Sequence, residues 1–108
     1  MSGKRIKEIA NAIKTFLNNR DIRVDKIVVF GSYARGNYSP DSDLDIAIIS
    51  SDFDGKDIFQ KADMIKGLNW HLVERFVFPF DIITVSDKEW RESSSLIVEY
   101  IKEGKVLT

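Results

Sequence analysis

The sequence has no cysteine, a single histidine (His71) and two prolines, and it contains no apolar run near the roughly 18 residues needed to cross a bilayer. Without thiols, disulfides and thiolate nucleophiles are excluded, and one imidazole cannot build a zinc site of the usual Cys/His type. A bound metal would therefore be a hard cation held by oxygen. An excess of one charge is also missing. Sixteen Lys+Arg against seventeen Asp+Glu leave a net charge of -1, without the basic balance of a dedicated nucleic-acid binder, so nucleic acid is not the expected partner. The opening Met1-Ser2-Gly3-Lys4-Arg5 leads into an amphipathic pattern instead of a signal-peptide core, which makes the cytoplasm the expected location and a membrane the unexpected one.

What is present is an ordinary globular composition, 44% hydrophobic and 31% charged over 108 residues. That length predicts one domain, 1–108, with one core and no room for a separate substrate-recognition domain. Recognition of an acceptor is then expected to come largely from elsewhere. The oligomeric state is left open.

Ile6, Ile9, Ala10, Ile13, Phe16 and Leu17 recur at helical spacing behind a Ser2 cap and predict a helix ending near Asn18-Asn19. The β-branched run Ile27-Val28-Val29 predicts a strand over 26–30, stopped by Gly31-Ser32. A polar loop, Asn37-Tyr38-Ser39-Pro40-Asp41, leads to a second strand over about 43–49. After a loop over 50–56, Asp57 caps a predicted helix carrying Ile58, Phe59, Ala62, Ile65, Leu68 and Leu72 as its apolar positions. A third strand is expected over 80–85. Ser86 and Glu89 fit a capping box, and a last helix over 95–103 carries Leu96, Ile97, Tyr100 and Ile101 on one side and stops at Gly104. The order implies a small sheet with helices packed on it.

Charge within that sheet is the informative part. Side chains alternate across a strand, so Asp43 and Asp45 point to one face, their Cα atoms about 6.6 Å apart, while Leu44, Ile46 and Ile48 take the other. Ala47 and Ile49 continue the acidic face, so the carboxylates stand where an apolar core ends and unpaired anions are costly. Asp81 repeats this at the head of another strand. Three converging carboxylates would force protonation on one another unless a divalent cation neutralised them, and oxygen-only ligands suit Mg²⁺ or Mn²⁺. Two such ions can stabilise the attacking and leaving oxygens of an in-line phosphoryl displacement, with Asp81 placed to take the proton of an attacking hydroxyl. Gly31-Ser32 lies at a strand-to-helix junction whose backbone N–H groups suit phosphate, with the Ser32 hydroxyl and the Arg35 guanidinium as further donors.

Each feature has a plainer reading. Asp43 and Asp45 could be turn formers in a solvated loop, Asp81 could bond a loop backbone, and Arg35 could be a surface cation. Asp41 to Asp45 matches the opening of a calcium-binding EF-hand loop, but the required glycine is Ile46 and the twelfth residue is Asp52, which rules that loop out. His71 reads as a packing or surface residue. The stretch Phe76-Val77-Phe78-Pro79-Phe80 reads as core and turn, with any exposed part suited to a protein interface.

Gly31-Ser32-Tyr33-Ala34-Arg35-Gly36, five residues, then Ser42-Asp43-Leu44-Asp45-Ile46-Ala47-Ile48 closely resembles the GSxARGx₅SDxDxxV signature of the minimal nucleotidyltransferase family, in the polymerase-β-like superfamily, with Ile48 in place of valine. Asp81 and the closing Ile101-Lys102-Glu103-Gly104 extend the likeness over nearly the whole chain. The resemblance implies an α/β (α+β) nucleotidyltransferase fold: a small mixed sheet of three or more strands flanked by helices. It also implies ATP as the nucleotide donor, with Gly31, Ser32, Arg35 and Ser42 on the nucleotide side and Asp43, Asp45 and Asp81 as catalytic and metal-holding carboxylates. Members of this size are often paired with a small helical HEPN-type protein, for which they act as antitoxin, in some cases by transferring AMP to a tyrosine of the toxin. By that likeness the expected activity is transfer of AMP from ATP to a hydroxyl of such a partner. Two alternatives stand beside it: neutralisation of the partner by contact alone, and transfer to a small-molecule or RNA hydroxyl.

Overall fold

The structure, a computed structural model, describes residues 2–107; Met1 and Thr108, the two ends of the expected domain, lie outside the described residues. The first helix, α1 (Gly3–Asn18), starts where the Ser2 hydroxyl accepts a hydrogen bond from the Arg5 N–H. Its stripe of Ile9, Ala10, Ile13 and Leu17 is buried, as the spacing predicts. Strand β1 (Lys26–Phe30) follows, then a single-turn helix α2 (Ser32–Arg35) and strand β2 (Leu44–Ser50). A 3₁₀ turn, Ser51–Phe53, sends Phe53 into the core from what the sequence suggests is plain loop.

The next segment departs from expectation. In place of one helix there are two, α3 (Ile58–Met64) and α4 (Leu68–Phe76), separated at Gly67, whose φ of 89° is left-handed. The Asp57 cap and its partner Gln60 form as a capping box. However, Ile58 and Phe59 are 73% and 82% exposed, so the apolar periodicity across the break does not mark one buried stripe; only Leu68, Leu72 and Phe76 reach the core fully. Strand β3 (Phe80–Ser86) runs directly into α5 (Asp87–Glu92) through the predicted Ser86–Glu89 capping box. Burial works against the Glu89 carboxylate, but hydrogen bonds from the Ser86 N–H and the Lys61 ammonium outweigh it and hold its pKa below the usual value.

Helix α6 (Leu96–Lys102) ends before Gly104 as expected, but the side it buries is different. Val98 and Ile101 face the sheet, whereas Leu96 is 90% exposed and Ile97 and Tyr100 lie outward. A two-residue strand, β4 (Lys105–Val106), then pairs with β1, too short for any alternation in the sequence to announce it.

Among the described residues the sheet has four strands in the order β3-β2-β1-β4. β1 is antiparallel to β2 and β4, while β2 and β3 are parallel, so the sheet is mixed. The parallel pair needs a long crossover, which α3 and α4 provide. One face, with Ile27, Val29, Leu44, Ile46 and Ile48, packs on α1 and α4; the other, with Val28, Phe30, Ala47, Ile49 and Val85, packs on Val98 and Ile101 of α6.

Gly104 locks α6 and β4 onto β1. A Cβ there would meet the Val29 carbonyl oxygen at 2.3 Å and Phe30 Cα at 3.0 Å. Because the obstacle is strand backbone, Gly104→Ala is expected to destabilise the fold by about 1–3 kcal/mol, the usual range for overpacking. Thermal unfolding would show it as a loss of several degrees, and an unchanged melting temperature would mean that α6 is free to shift.

Candidate nucleotide and metal site

The site is assembled at one end of the sheet, where β1 stops and the parallel strands β2 and β3 begin. β1 ends at Phe30, and Gly31 turns the chain with φ 73° and ψ -149°, a conformation open to glycine and strained for other residues. A second reason requires glycine. A Cβ on Gly31 would lie 2.1 Å from Asp45 Oδ2, so the absent side chain is what brings the turn against the carboxylate. Ser32 opens α2, half-buried, and Gly36 closes it in the left-handed region. The N–H groups that open a helix have no acceptor within it.

Asp43 is exposed one residue before β2, and Asp45 is half-buried within it. In the parallel register Asp45 sits opposite Asp81, while Ile46 sits opposite Ile82. Partners in register lie on one face of the sheet, their strands about 4.8 Å apart. The face is the one that carries Phe30 and Ala47, so Asp45 and Asp81 are brought to the same side with Gly31 against Asp45, and Asp43, just ahead of the strand, is near enough to act on the charge of Asp45. Their crowding shows in Asp45. Burial, then repulsion from Asp81 and Asp43, raise its pKa above the ordinary value, against a smaller opposing pull from Arg35.

Among the described residues no three His, Cys, Asp or Glu side chains stand close enough together to hold a metal ion as they are. The donor set nevertheless fits a hard divalent cation. It consists of carboxylate oxygens alone, and the raised pKa of Asp45 shows that the cluster is short of positive charge.

The remaining expected residues divide. Arg35 is exposed but not free: its guanidinium donates to the Tyr100 hydroxyl and lies 5.7 Å from the centre of that ring. Tyr100 also meets Phe30 edge-on at 5.8 Å, so α6 supports the turn from behind. The apolar spacing of α6 predicts Tyr100 on its buried side, and no local pattern in the sequence links position 100 to position 35. The Ser42 hydroxyl accepts from the Ser39 N–H at 2.9 Å and so closes the turn ahead of Asp43. His71 lies on the surface with its ring 5.3 Å from that of Phe16, as a packing or surface residue. Phe76 and Phe80 are buried, while Val77 between them is 86% exposed.

Comparison with known proteins places the chain in a family. Residues 6–107 match the family described as "Nucleotidyltransferase domain". A candidate protein adenylyltransferase of Methanocaldococcus jannaschii is 50% identical over 52 residues, covering 47% of this chain and 49% of that protein, so the match spans about half of that relative's length. A second protein of the same organism, named in the same way, is 32% identical over 78 residues, covering 72% of this chain and 69% of its own. Among solved structures, a toxin–antitoxin crystallised with AMP-PNP superposes with a TM-score of 0.61 at 23% identity, over 91% of this chain and 71% of that one, which is a likeness of fold. Among the described residues no helix is long and apolar enough to cross a membrane. With residues 6–107 of its 108 matched to the family, the chain belongs to the nucleotidyltransferase domain family.

Proposed function

We propose that this chain, acting as a single domain in the cytoplasm, transfers AMP from ATP to a hydroxyl group of a partner protein, with pyrophosphate leaving. The observation that carries the reading is the register pairing of Asp45 with Asp81, with Asp43 close enough to repel Asp45 and the Gly31-Ser32 turn packed against Asp45 through Gly31. In this scheme the N–H groups at the start of α2 and the Ser32 hydroxyl bind the triphosphate, and Arg35, kept in place by Tyr100, offers it positive charge. Asp43, Asp45 and Asp81 would hold Mg²⁺ or Mn²⁺, which when bound supplies charge neutralisation at the attacking and leaving oxygens. The acceptor oxygen forms a bond to the α-phosphorus as the bond from that phosphorus to the β-phosphate oxygen breaks. The acceptor's proton passes to a carboxylate oxygen of Asp81, which is exposed at the head of β3 and open to an incoming group.

Protein as acceptor is supported by the names of the two archaeal relatives, and an antitoxin role toward a helical HEPN-type toxin by the family resemblance and the toxin–antitoxin neighbour. The net charge of -1 weighs against an RNA acceptor. The test is to incubate the full chain with the protein encoded beside it and MgATP, then weigh both by intact-mass spectrometry. A mass gain of one AMP on the partner, absent with Asp43→Ala, is the expected result. A partner bound and silenced without modification, equally well by Asp43→Ala, would replace transfer with neutralisation by contact.

A further inference from the structure

We infer that Tyr38 is a positioning residue, whose ring holds the loop between the phosphate turn and the first carboxylate at the spacing the site needs. The inference rests on the reading above, that Asp43 and the Gly31-Ser32 turn serve one metal–triphosphate.

The two halves of the site are joined by residues 36–43, and this connection is poorly secured. Residues 37–41 and Asp43 are exposed, with only Ser42 partly covered. At its start the Asn37 N–H bonds the Ser32 carbonyl at 3.1 Å, and near its end the Ser42 N–H bonds the Ser39 carbonyl at 3.0 Å; both are short-range contacts within the connection or onto its own root. Among the described residues, the contact that ties the middle of the loop down is the ring of Tyr38, stacked on Tyr33 with centroids 4.2 Å apart and planes 10° from parallel. Tyr33 follows Ser32 directly, so the stack couples the loop to the phosphate turn itself.

The rings continue. Tyr33 meets Phe78 edge-on at 5.6 Å, and Phe78 meets Phe80 at 6.0 Å. Phe80 is buried and precedes Asp81. A row of aromatic contacts therefore joins the segments that carry Ser32, Asp43 and Asp81. Tyr38 is the outermost ring in it, 46% exposed, and its removal leaves the buried core intact. Asp43 and Asp45 carry like charges at the end of this loop, so a restraint on the loop helps to keep Asp43 near its neighbour.

Binding would show it. Loss of a restraint lowers the fraction of molecules with the loop in place and weakens apparent affinity by that fraction. Mn²⁺–ATP and Mn²⁺–tripolyphosphate should be titrated into the full chain and followed by water-proton relaxation enhancement. Tyr38→Ala is expected to weaken both by the same factor, on the order of ten-fold, the size of one aromatic pair. Tyr38→Phe, which keeps the stack, should bind like the wild type, and the melting temperature of ligand-free Tyr38→Ala should stay close to that of the parent. Weakening confined to Mn²⁺–ATP would overturn the inference, since Tyr38 would then be touching the base. Unchanged binding in Tyr38→Ala would overturn it as well. If the wild type binds neither complex, the reading of the site fails first and takes this one with it.

Discussion

Asp45→Asn is expected to raise the melting temperature of the ligand-free protein at neutral pH while reducing nucleotidyl transfer by about a hundred-fold or more, the scale of losing one group that stabilises transition-state charge. The two effects share one cause. Burial and the neighbouring Asp81 and Asp43 raise the pKa of Asp45 above its ordinary 3.8, so the folded state holds this proton more tightly than the unfolded chain does. A raised carboxylate contributes stability that is complete below the unfolded value and is lost as pH climbs through the folded one. At neutral pH the wild type therefore carries an anion that its own fold disfavours, and asparagine, nearly the same shape, carries none. The difference between variant and wild type should shrink as pH falls toward and below 3.8, which separates this explanation from a general improvement in packing. An asparagine variant that melts below the wild type in the absence of metal would show that the carboxylate cluster is not strained.

Most of what positions this cluster is legible in the sequence, and the reason is local. The strand over 26–30, the alternation that puts Asp45 on the face opposite Leu44 and Ile46, and the cap at Ser86 all depend on side chains within a few positions of one another. What the sequence left undecided was whether Asp81 joins them, because that depends on β3 lying beside β2, parallel and in a particular register. A slip of one residue would have turned Asp81 toward α1 and α4. The errors have the same origin. Ile58 and Phe59 read as core because helical spacing continues past Gly67, where the chain in fact turns; Leu96 reads as core because α6 is short enough for either side to look apolar. The contact of Tyr100 with Arg35 spans 65 positions and leaves no local trace.

Saturating MgATP should then raise the melting temperature of the wild-type chain by roughly 10–20 °C, since a ligand at a hundred times its Kd adds about 2.7 kcal/mol and a domain of this size gains several degrees per kcal/mol. The metal and the nucleotide are expected to need each other. ATP with a chelator brings a polyanion toward carboxylates that already repel one another, and should shift the transition little; Mg²⁺ alone relieves the repulsion but gains no triphosphate contacts with the turn. Together they should also reverse the order of the Asp45 pair, with the wild type above Asp45→Asn, because the charge that burdens the empty site is the charge that holds the metal. Differential scanning fluorimetry at millimolar MgATP decides it. A wild-type chain that does not respond, or responds as strongly to ATP in chelator, would show that the three carboxylates do not act on a metal-bound nucleotide, and that their meeting at the end of the sheet serves something else.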